Sequence, residues 1–367
     1  MKCVHCGKDS TYKERRASSA HSTCPACGKR FAFEPKDKDP FTDAAFKSAI
    51  DAVSANGQIR WGVEHLYYEL CRRSWKRTRP WRQFVMVSLV GSVAFAVIRM
   101  AFLIPILLLA WLVTWLLLRR YGRPATVVLD QSDFSRLWSK WLAVHGSPDG
   151  LIVRRSQKAP VRAQEPDIAD YSFDRAVICD RARTVDLLLA NNFHFENNCA
   201  ILSIGGYPEG PFEVVRTMLR RNPKLQVFAL HDASLAGCQL AYQLTSDERW
   251  FKGHVPVTDV GLRPRHAAPF KGLWQSASGV LPVAAEGAVS AEELRWLSTY
   301  VLELAAIRPE QVLKRLFKAI NRREGASDSS GDGGGSSSSD GDGTVHEDRD
   351  SFSADAGDSD GGGDSFG

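Results

Sequence analysis

Charge is almost missing between Gln83 and Leu118, where Arg99 is the only charged residue in 36 positions. A helix on the surface of a soluble protein carries polar residues along one side, so this run excludes an ordinary surface helix. A helix of about 20 apolar residues crosses a bilayer, and 36 residues at about 1.5 Å each would be far longer than one crossing needs. The run therefore predicts a two-helix transmembrane hairpin, with helices at about 84–98 and 101–118.

Basic residues flank this run on both sides. Such residues mark the cytoplasmic side of a membrane, so clusters at both ends indicate an even number of crossings. We therefore expect a multi-pass protein of the cell membrane with both termini in the cytoplasm. A single span at 100–118 with 84–98 in the interface, and a buried hairpin of a soluble protein, stay open as alternatives. The flanking residues are Arg72, Arg73, Lys76, Arg77, Arg79, Arg82, Arg119, Arg120 and Arg123.

Apolar residues are scarce from Gly325 onward, where Gly, Ser and Asp dominate. Residues 325–367 contain eleven acidic residues and one base, Arg349. Such a segment cannot bury a core, so we expect it to be disordered. Residues 1–324 then hold 46 basic and 31 acidic residues, a net charge of +15, which suits anionic lipid or nucleic acid. The clusters beside the apolar run already supply nine of the positive charges, so charge alone does not argue for nucleic acid.

Two cysteine pairs near the start have the spacing of a metal site. Cys3-x2-Cys6 and Cys24-x2-Cys27 are each followed by glycine and lysine. Four thiolates in this pattern fit a tetrahedral Zn²⁺, and a segment this short lacks the apolar mass to fold without it. The pattern predicts a zinc ribbon over residues 1–33, with all four cysteines as ligands and a structural role for the metal.

Two questions about the ribbon stay open. His5 or His21 is an alternative ligand in place of one cysteine, whereas disulfides are not expected in a reducing cytoplasm. We expect the ribbon to be either a solubilising module or a docking module for an unknown protein partner, and nucleic-acid binding is the alternative. The basic residues available for nucleic acid are Lys8, Lys13, Arg15, Arg16, Lys29 and Arg30.

Helical periodicity comes between the ribbon and the apolar run. Residues 34–40 read as a linker, and residues 41–82 carry two apolar stripes broken at Ala55-Asn56-Gly57. This pattern is consistent with a helix-turn-helix-like unit or with a cap on the membrane hairpin.

Residues 124–172 are expected to connect the hairpin to the next domain. They contain a predicted strand at 125–129 and a predicted helix at 132–144, with Asp130 available as its N-cap. The aromatic face of this helix suits the bilayer surface or a protein core equally.

Residues 173–275 alternate between apolar, β-branched runs and amphipathic runs. This alternation predicts a parallel sheet covered on both faces. Two further helices, at 290–304 and 309–323, are expected to close the folded part. The predicted strands are 176–179, 200–204, 225–230 and about 255–260, and the helices between them are 184–191, 212–221 and 235–244.

Two carboxylates follow neighbouring predicted strands. Asp180 follows the first strand and Asp232 follows the third, and chemistry in parallel sheets sits beyond the carboxyl ends of the strands. Oxygen ligands in that position can hold Mg²⁺. Gly205-Gly206 follows the second strand, but no Gly-x-Gly-x-x-Gly or Gly-Lys-Ser/Thr fingerprint accompanies it, which excludes a standard phosphate-binding loop there.

Four short motifs in this region resemble a Toprim domain, most closely the form in the A subunit of type VI topoisomerase. The resemblance covers roughly 100 of the 367 residues. It implies an acidic residue after the first strand as general acid/base and an Asp-x-Asp pair after the third strand for Mg²⁺. The motifs are Val177-Ile178-Cys179-Asp180, Ile204-Gly205-Gly206-Tyr207-Pro208, Ala229-Leu230-His231-Asp232-Ala233-Ser234-Leu235-Ala236-Gly237 and Val260-Gly261-Leu262-Arg263-Pro264.

The chain departs from that family at the residues that matter for catalysis. Asp180 stands where the family has glutamate, and Ser234 stands at the second aspartate of the pair. The loss of one carboxylate weakens a Mg²⁺ site. The resemblance also implies a nucleophilic tyrosine in a preceding helical domain, and Tyr67-Tyr68 invites that comparison, although tyrosines on a packed helix face are the simpler interpretation.

Two other sets of residues near the strand ends have alternative readings. His231 is either a ligand or base, or a hydrogen-bonded partner of neighbouring loops. Arg263 and Arg265 are either phosphate contacts or a solvated strand end.

Two functions are compatible with these features. The first is a membrane-anchored, cytoplasm-facing protein that uses a zinc ribbon and a degenerate Toprim-like domain to bind a partner, with nucleic acid as one candidate. The second is a membrane-tethered, Mg²⁺-dependent nuclease or topoisomerase-like enzyme that uses Asp180 and Asp232.

Overall fold

A computed structural model describes residues 1–17, 22–37, 39–77, 109, 111–113, 116, 126–153, 173–253, 255–277, 287–328 and 345–347. The helices are α1 (Tyr12–Ala17), α2 (Asp43–Val53), α3 (Val63–Arg77), α4 (Gln131–His145), α5 (Ala182–Ala190), α6 (Phe193–Glu196), α7 (Phe212–Arg221), α8 (Leu235–Cys238), α9 (Leu240–Ser246), α10 (Ala291–Leu297) and α11 (Pro309–Asp328). The strands are β1 (Arg175–Cys179), β2 (Cys199–Ser203), β3 (Gln226–Leu230), β4 (Val257–Asp259), β5 (Gln275–Ser276), β6 (Tyr300–Val301) and β7 (Val345–Glu347). Short 3-10 turns lie at Pro35–Asp37, Pro264–His266, Ala268–Phe270 and Leu304–Ala306.

The main sheet is parallel, with the strand order β2-β1-β3-β4-β7. Successive residues of β1 face two separate cores: Val177 and Cys179 belong to one, and Ala176 and Ile178 to the other. Both faces of the sheet are therefore covered, which explains why its central strands are continuous apolar runs rather than alternating ones. The predicted α/β class with a parallel sheet is confirmed.

One of these two cores joins the sheet to the helices that come before and after it. Phe46 of α2, Leu70 of α3 and Leu316 of α11 lie in the same cluster of buried side chains as Val177. The aromatic face of α4, which suited the bilayer surface or a protein core equally, also lies in this cluster, since Leu137 is fully buried and Trp141 is 4 % exposed. The aromatic face of α4 thus packs in a protein core.

Three predicted elements differ in the structure, because contacts with other parts of the chain outweigh local sequence propensity. The predicted helix 290–304 ends at Leu297, because Leu302 instead exchanges two backbone hydrogen bonds with Ala233, after β3. The predicted helix 235–244 is two short helices that meet at Gln239. Of the predicted strand 125–129, the described part forms only a single bridge, from Thr126 to Trp274.

The link between the ribbon and the helices is held by one carboxylate. Asp43 is fully buried, and its two oxygens accept hydrogen bonds from the backbone N–H groups of Ala32 and Phe33, both at 2.9 Å. His145 of α4 contacts the same carboxylate at 2.6 Å. The end of the ribbon is therefore fixed to α2 and α4.

The predicted hairpin 83–118 lies outside the described residues except for positions 109, 111–113 and 116. No helix among the residues that the structure describes is long and apolar enough to cross a membrane. The five described positions within 101–118 are exposed apolar side chains: Leu109, Trp111, Leu112, Val113 and Leu116.

The acidic tail is also described only in part. α11 continues to Asp328, beyond its predicted end at 323. Within the tail, Val345–Glu347 forms a short strand that pairs parallel to β4. The rest of 329–367 lies outside the described residues.

Candidate functional site

Four cysteine sulfurs converge at the start of the chain. The Sγ atoms of Cys3, Cys6, Cys24 and Cys27 all lie within 4.8 Å of one another. The Cys3–Cys27 pair is 3.7 Å apart and the Cys6–Cys24 pair 3.6 Å. A tetrahedral ion with Zn–S bonds of about 2.3 Å holds neighbouring sulfurs about 3.8 Å apart. The four side chains therefore have the spacing that a zinc ion needs.

Two similar backbone turns present these thiols. The N–H of Gly7 donates to the carbonyl of Cys3, and the N–H of Gly28 donates to that of Cys24. Both glycines have positive φ angles, of 73° and 68°, which side-chain-bearing residues adopt only with strain. This is why a glycine follows each Cys-x2-Cys pair.

The ribbon also has a buried ion pair of its own. Arg15 donates from Nε and Nη2 to the two carboxylate oxygens of Glu34, both at 3.0 Å, and both residues are buried. Arg15 is therefore an internal residue and not a contact for nucleic acid. Lys8, Lys13, Lys29 and Arg30 are exposed.

The parallel sheet brings the two predicted carboxylates together. Because β1 and β3 are neighbours, Asp180 and Asp232 leave the same edge of the sheet, and the N–H of Asp232 donates to Oδ2 of Asp180 at 3.0 Å. The expectation that they lie side by side is confirmed. Their other partners decide what this pair can do.

Both oxygens of Asp232 are occupied by protein donors. Oδ1 accepts from the backbone N–H of Leu304 at 2.6 Å. Oδ2 accepts from Nε of Arg181 at 3.1 Å and from Nη2 of Arg183 at 3.3 Å. Asp232 is fully buried; burial raises its pKa, and the two guanidiniums oppose that rise. Arg183 also pairs with Glu303 at 2.9 Å, so Asp232, Arg183 and Glu303 form a row of alternating charges at this edge of the sheet.

Asp180 lies next to Asp232, and its side chain is largely shielded from water. Burial, followed by the nearby Asp232 carboxylate, raises the pKa of Asp180 to about 7. Its Oδ1 is buried and has no hydrogen-bond partner. Near neutral pH a large fraction of Asp180 is therefore uncharged, and an uncharged carboxyl is a weak ligand for a hard cation.

The position expected for a third carboxylate has a structural role. The hydroxyl of Ser234 accepts from the N–H of Gly237 at 3.1 Å and caps α8. A Cβ at Gly237 would lie 2.3 Å from the carbonyl oxygen of Asp232 and 3.2 Å from Oδ2 of Asp180, so only glycine fits this close approach. The residues at this edge do not fit a Mg²⁺ ion. Among the residues that the structure describes, the four cysteines are the only group of three or more potential ligands close enough for one metal.

The two tyrosines of α3 are held by hydrogen bonds. Tyr67 donates to the carbonyl of Leu129 at 3.0 Å, and Tyr68 donates to Oε2 of Glu303 at 3.0 Å. Both side chains are buried, and burial raises the pKa of each hydroxyl. Such phenols ionise only at strongly alkaline pH, which opposes a role as nucleophile.

A second buried charge network lies one strand further along. Nδ1 of His231 contacts the carbonyl of Asp232, and Nε2 contacts Oδ1 of Asp259, both at 2.8 Å. Burial alone would lower the pKa of His231, but Asp259 raises it above its usual value, and both ring nitrogens face acceptor oxygens. Arg263 donates to the other oxygen of Asp259 at 2.9 Å and is buried, so it is not a free phosphate contact. His231 is a hydrogen-bonded partner of neighbouring loops.

Sequence patterns did not identify Arg181, Arg183 and Glu303 as members of this site. Arg181 and Arg183 come one and three residues after Asp180, and this proximity in the chain was the one signal that they could pair with a carboxylate there. Glu303 is more than a hundred residues away in the chain. Comparisons with known proteins do not add to these contacts. No protein-family model matches the chain, and neither a curated protein nor a solved structure matches it.

Proposed function

We propose that this protein is a membrane-anchored binding protein with a zinc ribbon and a Toprim-like domain that has no metal-dependent chemistry. The observation that carries the proposal is the saturation of Asp232 by Arg181, Arg183 and the backbone of Leu304. The chain then acts by holding a partner at the cytoplasmic face of the cell membrane.

Charge explains why the acidic edge favours this function over catalysis. A Mg²⁺ ion at Asp232 would have to replace two guanidiniums that already neutralise the carboxylate. The displaced guanidinium of Arg183 would stay close to the ion, because Arg183 is also held by Glu303. With Asp180 only partly ionised near neutral pH and Ser234 used as a cap, the local charge attracts a divalent cation weakly.

The membrane part of the proposal rests on the apolar run and its basic flanks. The five described side chains of 101–118 are apolar and exposed, as expected for side chains that contact lipid. Reporter tags placed before Lys76 and after Gly122 are expected on the same side of the membrane. Tags on opposite sides would contradict the hairpin.

The partner is a protein or a nucleic acid. Lys8, Lys13, Lys29 and Arg30 belong to the ribbon and are exposed, which supports the nucleic-acid version. Retention of the full chain on DNA or RNA should then weaken steeply with salt, since phosphate contacts release counterions. Retention that does not depend on salt, or no retention, would leave a protein as the partner.

A metal titration tests the central claim. The full chain, purified in lipid nanodiscs, is titrated with Mg²⁺ and Mn²⁺ by calorimetry and assayed for nicking of a plasmid, beside the Asp232→Asn variant. We expect any binding of Mg²⁺ or Mn²⁺ to be the same in the parent chain and in the variant. Neither protein should nick the plasmid. Nicking that needs Mg²⁺ and disappears in Asp232→Asn would overturn the proposal in favour of the membrane-tethered nuclease or topoisomerase-like enzyme.

A further inference from the structure

A cavity of about 450 Å³ lies between the start of α3 and the helix α5. Its walls include Glu64 and His65 of α3, Arg183 and Asp186 of α5, and Glu303. Its volume is in the range of ligand pockets. Gln131, which also lies at its wall, is exposed. Arg183 and Glu303 already take part in the charge network of Asp232. Glu64, His65 and Asp186 have no role in that network.

His65 lies at the wall of this cavity. It is 6 % exposed, and its Nδ1 lies 3.2 Å from the backbone nitrogen of Gly62 and 3.3 Å from the carbonyl oxygen of the same residue, so Gly62 holds this nitrogen in either tautomer. Burial lowers the pKa of His65. The other ring nitrogen, Nε2, has no hydrogen-bond partner among the described residues, so a ligand in the cavity can supply one.

The carboxylates on the cavity wall outnumber the cations. Glu64 makes no hydrogen bond or ion pair within the described part of the chain. Asp186 uses one oxygen to accept from the hydroxyl of Tyr207 at 2.6 Å, which leaves the other oxygen without a described partner. Arg183 is already paired with Glu303 and Asp232. Apart from His65, the wall carries three carboxylates and one guanidinium, on a body that is otherwise strongly basic.

These carboxylates do not form a metal site. No three of them come close enough to share one ion, since the cysteine cluster is the only such group among the described residues. Separated carboxylates instead fit a cation that donates in several directions at once. A guanidinium has five N–H donors in one plane, whereas an ammonium is a compact point charge.

We propose that this cavity binds a guanidinium group, with the carboxylates of Glu64 and Asp186 as acceptors and Nε2 of His65 as a further polar contact for the same ligand. The proposal rests on the binding function proposed above and names the chemistry of the partner. The guanidinium comes either from an arginine side chain of a protein partner, which has backbone carbonyls beside it, or from a free guanidino compound.

Calorimetry with three small probes tests this. The full chain in nanodiscs is titrated with N-acetyl-L-arginine amide, with its neutral isostere N-acetyl-L-citrulline amide, and with agmatine, a guanidinium that has no carbonyl. We expect the arginine amide to bind and the citrulline amide not to bind. Tighter binding of the arginine amide than of agmatine identifies an arginine side chain as the natural ligand. Equal binding of the two identifies a free guanidino compound.

Isosteric variants locate the site. Glu64→Gln and Asp186→Asn each remove one charge and should each weaken arginine amide binding by about tenfold or more, the usual loss for a charge-assisted hydrogen bond. Glu292→Gln, at an exposed position of α10, is the matched control and should leave binding unchanged. Equal binding of the arginine and citrulline amides, no binding of any cation, or binding that Glu64→Gln leaves unchanged would overturn the proposal. These outcomes are separate from the Mg²⁺ titration, which tests Asp232 and not the cavity.

Discussion

The cysteine cluster and the acidic edge of the sheet are both groups of potential metal ligands, but their surroundings differ. The four thiols are close to one another and no cation of the protein pairs with them among the described residues. The carboxylate of Asp232 is instead surrounded by Arg181, Arg183 and a backbone N–H. Ligand chemistry alone therefore does not make a metal site. A site also needs ligands that the protein has left unsatisfied.

The largest effect is expected at the cysteine cluster. Cys24→Ser removes one of four ligands, so the zinc content should fall from about one ion per chain to nearly none, and the ribbon should unfold because it has too little apolar mass to fold alone. Metal analysis and protease sensitivity at residues 1–31 measure this. His5→Ala is the control and should keep its zinc. Loss of zinc in His5→Ala would show instead that a histidine is a ligand.

The next largest effect is expected at Arg183. Arg183→Gln leaves the buried Asp232 with one guanidinium fewer, and a buried charge that loses its partner destabilises a protein by about 3 kcal/mol or more. Chemical denaturation measures the change. Arg136→Gln removes an exposed partner of Asp133 and should change stability by less than about 1 kcal/mol. Equal effects of the two variants would show that the pairing of Asp232 contributes little to stability.

Asp180 should make stability depend on pH. Its unfolded-state pKa is near 3.8 and its folded-state pKa is raised to about 7. Between these values the folded chain binds the extra proton, so the free energy of unfolding should fall as the pH rises from about 4 to about 7 and then level off. The total change is on the order of 4 kcal/mol at about 1.4 kcal/mol per pKa unit.

The variant Asp180→Asn isolates this contribution. It cannot ionise, so the difference in stability between pH 5 and pH 8 should be smaller in the variant than in the parent chain, with the variant gaining most at pH 8. Denaturation curves at both pH values give that difference. An identical pH dependence in the two proteins would show that Asp180 ionises normally.

The smallest effect is expected at Ser234. Aspartate is as good an N-cap as serine, so Ser234→Asp should change stability by less than about 0.5 kcal/mol. It should also fail to create Mg²⁺ binding, because the side chain at this position caps α8 and Asp232 remains paired with arginine. Calorimetry with Mg²⁺ checks this. Metal binding in the variant would show that a missing carboxylate, rather than the arginines, keeps metal away.

The sheet could be predicted from the sequence because its strands are buried on both faces. Apolar runs such as Ala176–Cys179 and 225–230 have few alternatives, and Phe212–Arg221 begins and ends where its amphipathic pattern does. The proximity of Asp180 and Asp232 followed from the rule that parallel strands end at one edge. Their partners did not follow, because Glu303 and Leu304 reach the site only through the tertiary fold. The ribbon behaved similarly: its cysteines were evident, but the burial of Arg15 by Glu34 depends on how the chain closes.

The carboxylate of Asp43 gives the ribbon a fixed orientation. It holds the backbone of Ala32 and Phe33, while Lys140 of α4 pairs with Asp39 at 2.6 Å in the segment that read as a linker. The exposed lysines of the ribbon therefore keep a constant direction relative to α2 and α4. A partner that touches both parts meets a preformed surface, and its association does not lose the conformational entropy of ordering a loose tether.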